Sequence, residues 1–364
     1  MDQPVVVSER GGVGHLVLNR PKAINALNDE MVDLMAAALR RWRDDDAIVA
    51  VVLSGAGERG LCAGGDIVSI HRDATELLAA GADDAQAAAC PSAVFWREEY
   101  QLNSEIAKYP KPYVAIMDGI VMGGGVGVSA HANTRVVTDR TRLAMPETGI
   151  GFIPDVGGTH LLAQIPDNLG VYLGLTAGSI NGADAVALGF ADHYVPAADL
   201  DAFVEAIADT SLDDALAKFA QTPPASALFA QRDWIAAAFD ADSVAEIITR
   251  CEAVAERRGE DAAVAETAAK AVAAMRAKSP TTLSVTLRAL RNPLPTLDEA
   301  LHREYRLALR CVRNHDMVEG IRAQVIDKDR NPAWQPAHLN EVTVDAVDAF
   351  FAPLPADLEL TIDG

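Results

Sequence analysis

Short apolar runs alternate with stretches of helical spacing along the first two-thirds of the chain. HLVLN, centred on Val17, has the length and composition of a strand. After it, Asn28 is placed to cap a helix that runs to about Trp42, with Asp29 and Glu30 in the first turn where the helix dipole favours them. Met31, Leu34, Met35, Ala38, Leu39 and Trp42 give that helix one apolar face. IVAVVLSG (48–55) reads as a buried strand, and the same pattern returns at YVAIMDG (113–119) and TRVVTD (134–139). Strands alternating with helices predict a layered α/β core.

The stretch 71–95 is alanine-rich with Gly81 and Pro91, and reads as a helical insert or a mobile loop, either a lid or a solvent-exposed insertion. A helix is predicted over 158–175, a short one over 183–189 stopped by Gly189, and an extended segment ending at Pro196. Low β-propensity from 198 to about 276 predicts several helices, and 281–330 predicts two more, separated near Pro293 and Pro295. The proline-interrupted tail 327–342 is expected to dock, with Trp334 as its packing anchor. No fixed-period repeat and no strong linker is visible.

With 364 residues, half of them apolar, the chain can bury a large core. Lys and Arg number 31 against 52 Asp and Glu, a formal charge of −21. That balance disfavours a broad grip on nucleic acid or an anionic membrane, while leaving room for a small anionic ligand. Cys62, Cys90, Cys251 and Cys311 form no CxxC pair, so neither a zinc knuckle nor a disulfide framework is suggested. MDQPVVVSERGG lacks the basic stretch and apolar run of a signal peptide, and no window reaches the length of a membrane span. A reducing, cytoplasmic setting is the expectation.

Two glycine turns carry candidate chemistry. LCAGGD (61–66) follows the second strand, and MGGGVG (122–127) follows the third. Glycine lets a ligand approach the backbone, and amides at a helix start favour negative charge. Amides from both turns meeting one oxygen would make an oxyanion hole; taken alone, each reads equally well as a strand-to-helix turn. Neither fits a phosphate-binding P-loop or a dinucleotide fingerprint, and no GxSxG nucleophile elbow is present. MPETGIGFIPDVGG (145–158) then places Glu147 and Asp155 in an apolar, glycine-rich stretch, where a desolvated carboxyl can work as acid or base near neutrality. A cap on the following turn or helix is the alternative for each.

Together, NRPKAINALN, LCAGGD, YVAIMDGIVMGGGVG and MPETGIGFIPDVGGT, in that order, resemble the enoyl-CoA hydratase/isomerase (crotonase) superfamily over roughly residues 10–200. The resemblance implies a spiral of ββα units with an extended helical C-terminal region. It divides the chain into a catalytic, acyl-CoA-binding core at 1–200 and a helical part at 201–364 that completes the site, forms subunit contacts, or both. It also implies a coenzyme A thioester as substrate, with the Gly65 and Gly124 amides forming the oxyanion hole. Backbone at Lys22, Ala23, Ile24 and Ala63 would lie along the coenzyme A moiety, with Arg20 and Lys22 near its phosphates. Coenzyme A is then part of the substrate, and neither a separate cofactor nor a metal is expected. Homo-oligomers are common in the superfamily.

Hydratases of this superfamily carry a glutamate soon after the glycine cluster, in the pattern GGGxE. Here Gly127 stands in that place. MGGGVGVSAH, the pair Glu147 and Asp155, and KDRNPAW (328–334) resemble instead the 3-hydroxyisobutyryl-CoA hydrolase group. The implied reaction is hydrolysis of a short 3-hydroxyacyl-CoA thioester, with hydration or isomerisation of an enoyl-CoA as the enzymatic alternative and non-catalytic acyl-CoA binding as the other class. Glu147 is read as principal nucleophile or base, and Asp155 as the group that orients the substrate hydroxyl or shares the proton transfer. His131 is expected to be structural. Cys62, beside the first glycine turn, is read as a packed side chain.

Overall fold

The computed structural model describes residues 3–257 and 262–362. Among the described residues ten strands occur in chain order: β1 Val5–Arg10, β2 Val13–Leu18, β3 Ala50–Gly55, β4 Gly60–Cys62, β5 Tyr113–Met117, β6 Ile120–Met122, β7 Thr134–Val137, β8 Arg142–Ala144, β9 Ile180–Asn181 and β10 His193–Tyr194. Six form one sheet in the order β1-β2-β3-β5-β7-β10, and four form a second in the order β4-β6-β8-β9. Among these described strands, β1 with β2 and β8 with β9 pair antiparallel, and the other pairs are parallel. The pattern is a thrice-repeated step in which β3, β5 and β7 are each followed by a short strand of the second sheet. β5 is buried at all five positions, as expected of a parallel strand covered on both faces.

By contacts the chain divides into two compact units. One comprises residues 1–66, 98–144 and 179–229; the other comprises 67–97, 145–178 and 230–364. These cuts differ from a division at residue 200, because each unit gathers three separate stretches of chain.

The first unit holds both sheets. Helices Leu200–Asp209 and Leu212–Phe219 pack on the larger sheet, with Phe203, Ile207 and Ala215 against Val52, Val114, Ile116 and Val136. The expected first helix is Asp29–Arg43, and the Asn28 side chain accepts the Met31 amide as its cap. Val32 joins its buried face, while Leu34 is half-buried.

The second unit is helical. The stretch 71–95 forms helices rather than a loop: Ile67–Ala80, Asp84–Ala88 and the start of Pro91–Ala107. Buried Asp73 ties it together by accepting the Ser92 amide at 2.9 Å and the Ser92 hydroxyl at 2.6 Å, and Asp84 pairs with Arg310 and Arg313. The helix expected over 158–175 is two, Gly158–Ala163 and Leu169–Thr176, separated by Pro166 and by Asp167 and Asn168 in the left-handed region. Between 198 and 276 lie Leu200–Asp209, Leu212–Phe219, Arg232–Ala238, Val244–Ala255 and Ala262–Arg276; residues 258–261 of that expectation fall outside the described residues. Between 280 and 330 there are three α-helices where two were expected: Pro280–Arg291, Leu297–Cys311 and His315–Ile321, the last running into a π-turn at Arg322–Ile326. Asn314 creates the extra helix start, its side chain accepting the Asp316 amide.

The tail docks on this unit. Ala333 donates its amide to Glu319, Gln335 donates to buried Asp316 at 2.7 Å, and Trp334 is 9% exposed with its indole N–H on the Ala277 carbonyl at 3.2 Å. Among the described residues no helix is long and apolar enough to cross a membrane.

Candidate active site

In the first unit the two glycine turns interlock. They follow β4 and β6, which pair in parallel, so the chain leaves both strands at the same edge. Gly64 has φ +109, which β-carbon-bearing residues rarely adopt. A β-carbon there would also sit 3.4 Å from the Met122 carbonyl and 3.9 Å from the Gly124 nitrogen, and one on Gly125 would lie 2.6 Å from the Cys62 carbonyl. Glycine at positions 64 and 125 is therefore a condition of the two turns meeting.

The first turn is pinned to the loop at 20–27. Ala63 donates to the Ile24 carbonyl at 3.0 Å, Leu27 to Gly64 at 2.8 Å, and Asp66 to Leu27 at 2.9 Å. Those three bonds leave the Gly65 amide unused. The Gly124 amide opens the single helical turn Gly124–Gly127 and has no carbonyl before it to bond. Among the described residues neither the Gly65 nor the Gly124 N–H donates a hydrogen bond. Gly124 is buried and Gly65 half-buried, and a buried amide is rarely left so without a ligand or water in view.

Of the residues expected along coenzyme A, Arg20 and Ile24 touch this turn, through Asp66 and Ala63, while Lys22 and Ala23 lie in the short helix Pro21–Ala23 of the adjoining loop. The Arg20 side chain is engaged locally, donating to the Ala26 carbonyl at 2.5 Å and to Asp66 at 3.1 Å. Lys22 and Ala23 are exposed, and Ile24 is left-handed at φ +51. His131 is half-buried. The Cys62 sulfur accepts the Gly64 amide at 3.4 Å, and burial pushes its thiol up to about 12. A thiol so held is a packing group rather than a nucleophile.

The second unit carries the carboxylates. Glu147, 5% exposed, opens the turn Glu147–Ile150, and its carbonyl accepts the Phe152 amide at 3.0 Å. Asp155 is 6% exposed, and its carbonyl accepts the Gly158 amide at 2.6 Å. In chain order the candidate residues recur at one step of the fold: Gly65 stands three residues after β4, Gly124 two after β6, and Glu147 three after β8. β4, β6 and β8 are neighbours in the smaller sheet. No acid stands at Gly127.

Three residues beside these groups escape sequence reading. Asn25, fully buried and left-handed, donates to the carbonyls of Ala56, Gly60 and Leu61 and accepts the Arg20 amide, which fixes the loop at 20–27. Asparagine's tolerance of the left-handed region was the available signal. Glu99 is 2% exposed, and a β-carbon on Gly124 would run into its Oε1. Nothing in REEY distinguishes it from Glu98. Glu304 is fully buried in helix Leu297–Cys311, where its spacing with Leu301, Tyr305 and Ala308 marks a core position.

The sequence profile of the enoyl-CoA hydratase/isomerase family matches residues 13–351. The mitochondrial 3-hydroxyisobutyryl-CoA hydrolase of Xenopus tropicalis is 38% identical, the match covering 99% of this chain and 91% of that one. The human protein of the same description is 36% identical over 97% of this chain and 89% of its own length. A solved structure described as a carnitinyl-CoA dehydratase from Mycobacterium thermoresistibile is 50% identical, covers 100% of both chains and superposes with a TM-score of 0.90. One described as an enoyl-CoA hydratase from Rhodobacter sphaeroides is 39% identical, with 99% of this chain and 100% of that one covered and a TM-score of 0.87. This chain thus belongs to the enoyl-CoA hydratase/isomerase family and has the crotonase fold.

Proposed function

We propose that the chain is an acyl-CoA thioester hydrolase that acts on a short 3-hydroxyacyl-CoA, 3-hydroxyisobutyryl-CoA foremost, releasing the free acid and coenzyme A. The observation that carries this reading is the pair of uncommitted amides at Gly65 and Gly124, followed at the next step of the fold by Glu147, with no acid at Gly127. The full-length relatives described as 3-hydroxyisobutyryl-CoA hydrolases support the substrate class.

In the proposed mechanism the thioester carbonyl oxygen accepts hydrogen bonds from Gly65 and Gly124, which stabilise the tetrahedral oxyanion by about 3 kcal/mol per donor. Attack comes from the Glu147 carboxylate, giving an acyl-enzyme anhydride that water then opens, or from a water whose proton Glu147 removes. In either course a C–O bond forms, the C–S bond breaks, and coenzyme A leaves as the thiolate and takes up a proton. Asp155 orients the 3-hydroxyl or shares the proton transfer. The amides supply the electrophilic assistance, so the chemistry calls for no metal or separate cofactor. Backbone at Lys22, Ala23, Ile24 and Ala63 lies along the coenzyme A moiety, with Lys22 nearer its phosphates than Arg20, whose side chain is already engaged. The proposal includes a reducing compartment, the cytoplasm, and self-association into the oligomers common in the family; light scattering of the pure protein reads the second.

Hydration or dehydration is the second reading, favoured by the 50% identity to the structure described as a carnitinyl-CoA dehydratase. Glu147→Gln and Asp155→Asn separate the two when assayed on a 3-hydroxyacyl-CoA. Under the hydrolase reading both lose coenzyme A release by roughly 100-fold or more. Wild-type protein that interconverts enoyl- and 3-hydroxyacyl-CoA while every thioester stays intact would establish the second reading.

A further inference from the structure

The turn that carries Asp155 is built in an unfavourable conformation. Val156 has φ +52 and Gly157 φ +80, so two successive residues are left-handed and the first is β-branched. A β-branched residue in that region is a genuine outlier and persists only where its surroundings hold it. The helix that follows, Gly158–Ala163, begins on a glycine with no side chain to cap it.

Glu304 supplies what the turn lacks, from the middle of helix Leu297–Cys311. Its Oε2 accepts the Gly157 amide at 2.7 Å, and its Oε1 accepts the Thr159 amide at 2.8 Å together with the Thr159 hydroxyl. Arg303 donates to the same hydroxyl at 3.2 Å. All four groups lie in the second unit. Glu304 is fully buried; burial first, and repulsion from Asp155 as a lesser cause, push its carboxyl up to about 7 although three donors pull it down. A buried acid beside a second acid is an expensive choice if packing were its purpose.

We propose that Glu304 is a positioning residue for the reaction: by holding the left-handed turn at Val156 and Gly157 it fixes the direction in which Asp155 presents its carboxylate. The inference rests on the proposed role of Asp155 in thioester hydrolysis. Glu304 itself touches no substrate in this account.

The test is Glu304→Gln, which keeps the shape but turns an NH2 group toward amide donors, compared with Asp155→Asn and the double variant. A purely structural glutamate predicts a change in melting temperature with kcat kept, since glutamine also removes the buried charge. The positioning role predicts a folded variant whose kcat falls roughly 30-fold or more, with KM changed less than about threefold, because a misplacement near 1 Å costs about 100-fold. It also predicts that the double variant is no slower than Asp155→Asn alone. A folded Glu304→Gln with kcat within threefold of wild type, or losses that multiply in the double variant, overturns it. Should Glu304→Gln not fold, Thr159→Val removes one leg of the clamp, with the same split of kcat from KM expected and an unchanged kcat overturning the idea. If wild-type protein releases no coenzyme A, the function proposed above fails on its own. Crystal structures of wild type and variant then decide the positioning claim: a displaced Asp155 carboxylate supports it, and an unmoved turn refutes it.

Discussion

Gly124→Ala puts the proposed oxyanion cradle under direct strain. The new β-carbon would fall a tight 3.1 Å from Leu27 Cδ1, and nearer to Glu99 Oε1 than real β-carbons approach other atoms. Leu27 is fully buried and Glu99 is 2% exposed, so neither neighbour can swing into solvent. The strain must move the Gly124 backbone by roughly half an ångström or more, on the scale at which reacting groups lose alignment. Loss of one oxyanion donor is worth about 3 kcal/mol, roughly 100-fold in kcat, while overpacking costs about 1–3 kcal/mol of stability. Thiol release from a 3-hydroxyacyl-CoA, followed with a chromogenic thiol reagent, is expected to slow about 100-fold in kcat with KM changed less than about threefold. Gly81→Ala is the control: its β-carbon meets nothing within 4 Å but its φ of +59 is strained, so it should lose comparable stability and keep kcat. A folded Gly124→Ala enzyme within threefold of wild-type kcat would refute the assignment of that amide.

Trp334→Ala should lower stability by about 3–5 kcal/mol in a denaturant titration, since it empties the seat of the docked tail; a change under 1 kcal/mol would contradict the anchor role. Glu304 sets a pH dependence. Its folded carboxyl is raised to about 7 from 4.5, so the native state holds that proton more tightly. Its contribution to stability is full below about 4.5 and is lost as pH rises through 7. Urea midpoints for Glu304→Gln should therefore decline less than wild type between those pH values, and parallel curves would count against the raised value. The Cys62 thiol, pushed up to about 12 and fully buried, should resist iodoacetamide at pH 8 until the protein unfolds, as mass mapping of the labelled thiols would show.

Long periodic segments were legible in the chain. Helix Asp29–Arg43 with its Asn28 cap, and strands β3, β5 and β7, follow from apolar spacing and capping chemistry alone. The smaller sheet was not, because β4, β6 and β8 have three residues each, too few to display a period of two. The stretch 71–95 leaves a helical insert and a mobile loop equally open in sequence; Pro91 sits at the first position of helix Pro91–Ala107, where a missing amide hydrogen does no harm. The division into units depends on contacts between distant segments, which no local pattern records.

The candidate site is legible as a set of motifs rather than as a geometry. Gly65, Gly124, Glu147 and Asp155 stand out because glycine runs and acids in apolar stretches violate ordinary composition. The recurrence of Gly65, Gly124 and Glu147 after β4, β6 and β8 became visible only with the strands in place. The supporting residues were hidden for different reasons. Asn25 binds three carbonyls up to 36 residues away, and Glu304 reaches a turn 145 residues earlier, separations over which sequence carries no register. The left-handed Val156 could not have been read at all, since valine is among the residues least suited to it.

Product analysis by mass spectrometry, after purified protein is incubated separately with 3-hydroxyisobutyryl-CoA and crotonyl-CoA, tests the central claim most directly. Free coenzyme A and 3-hydroxyisobutyrate from the first, lost in Glu147→Gln and Asp155→Asn, are the predicted result. Intact 3-hydroxybutyryl-CoA from the second, with no thiol released from either, would contradict the account and show a hydratase that works without an acid at Gly127.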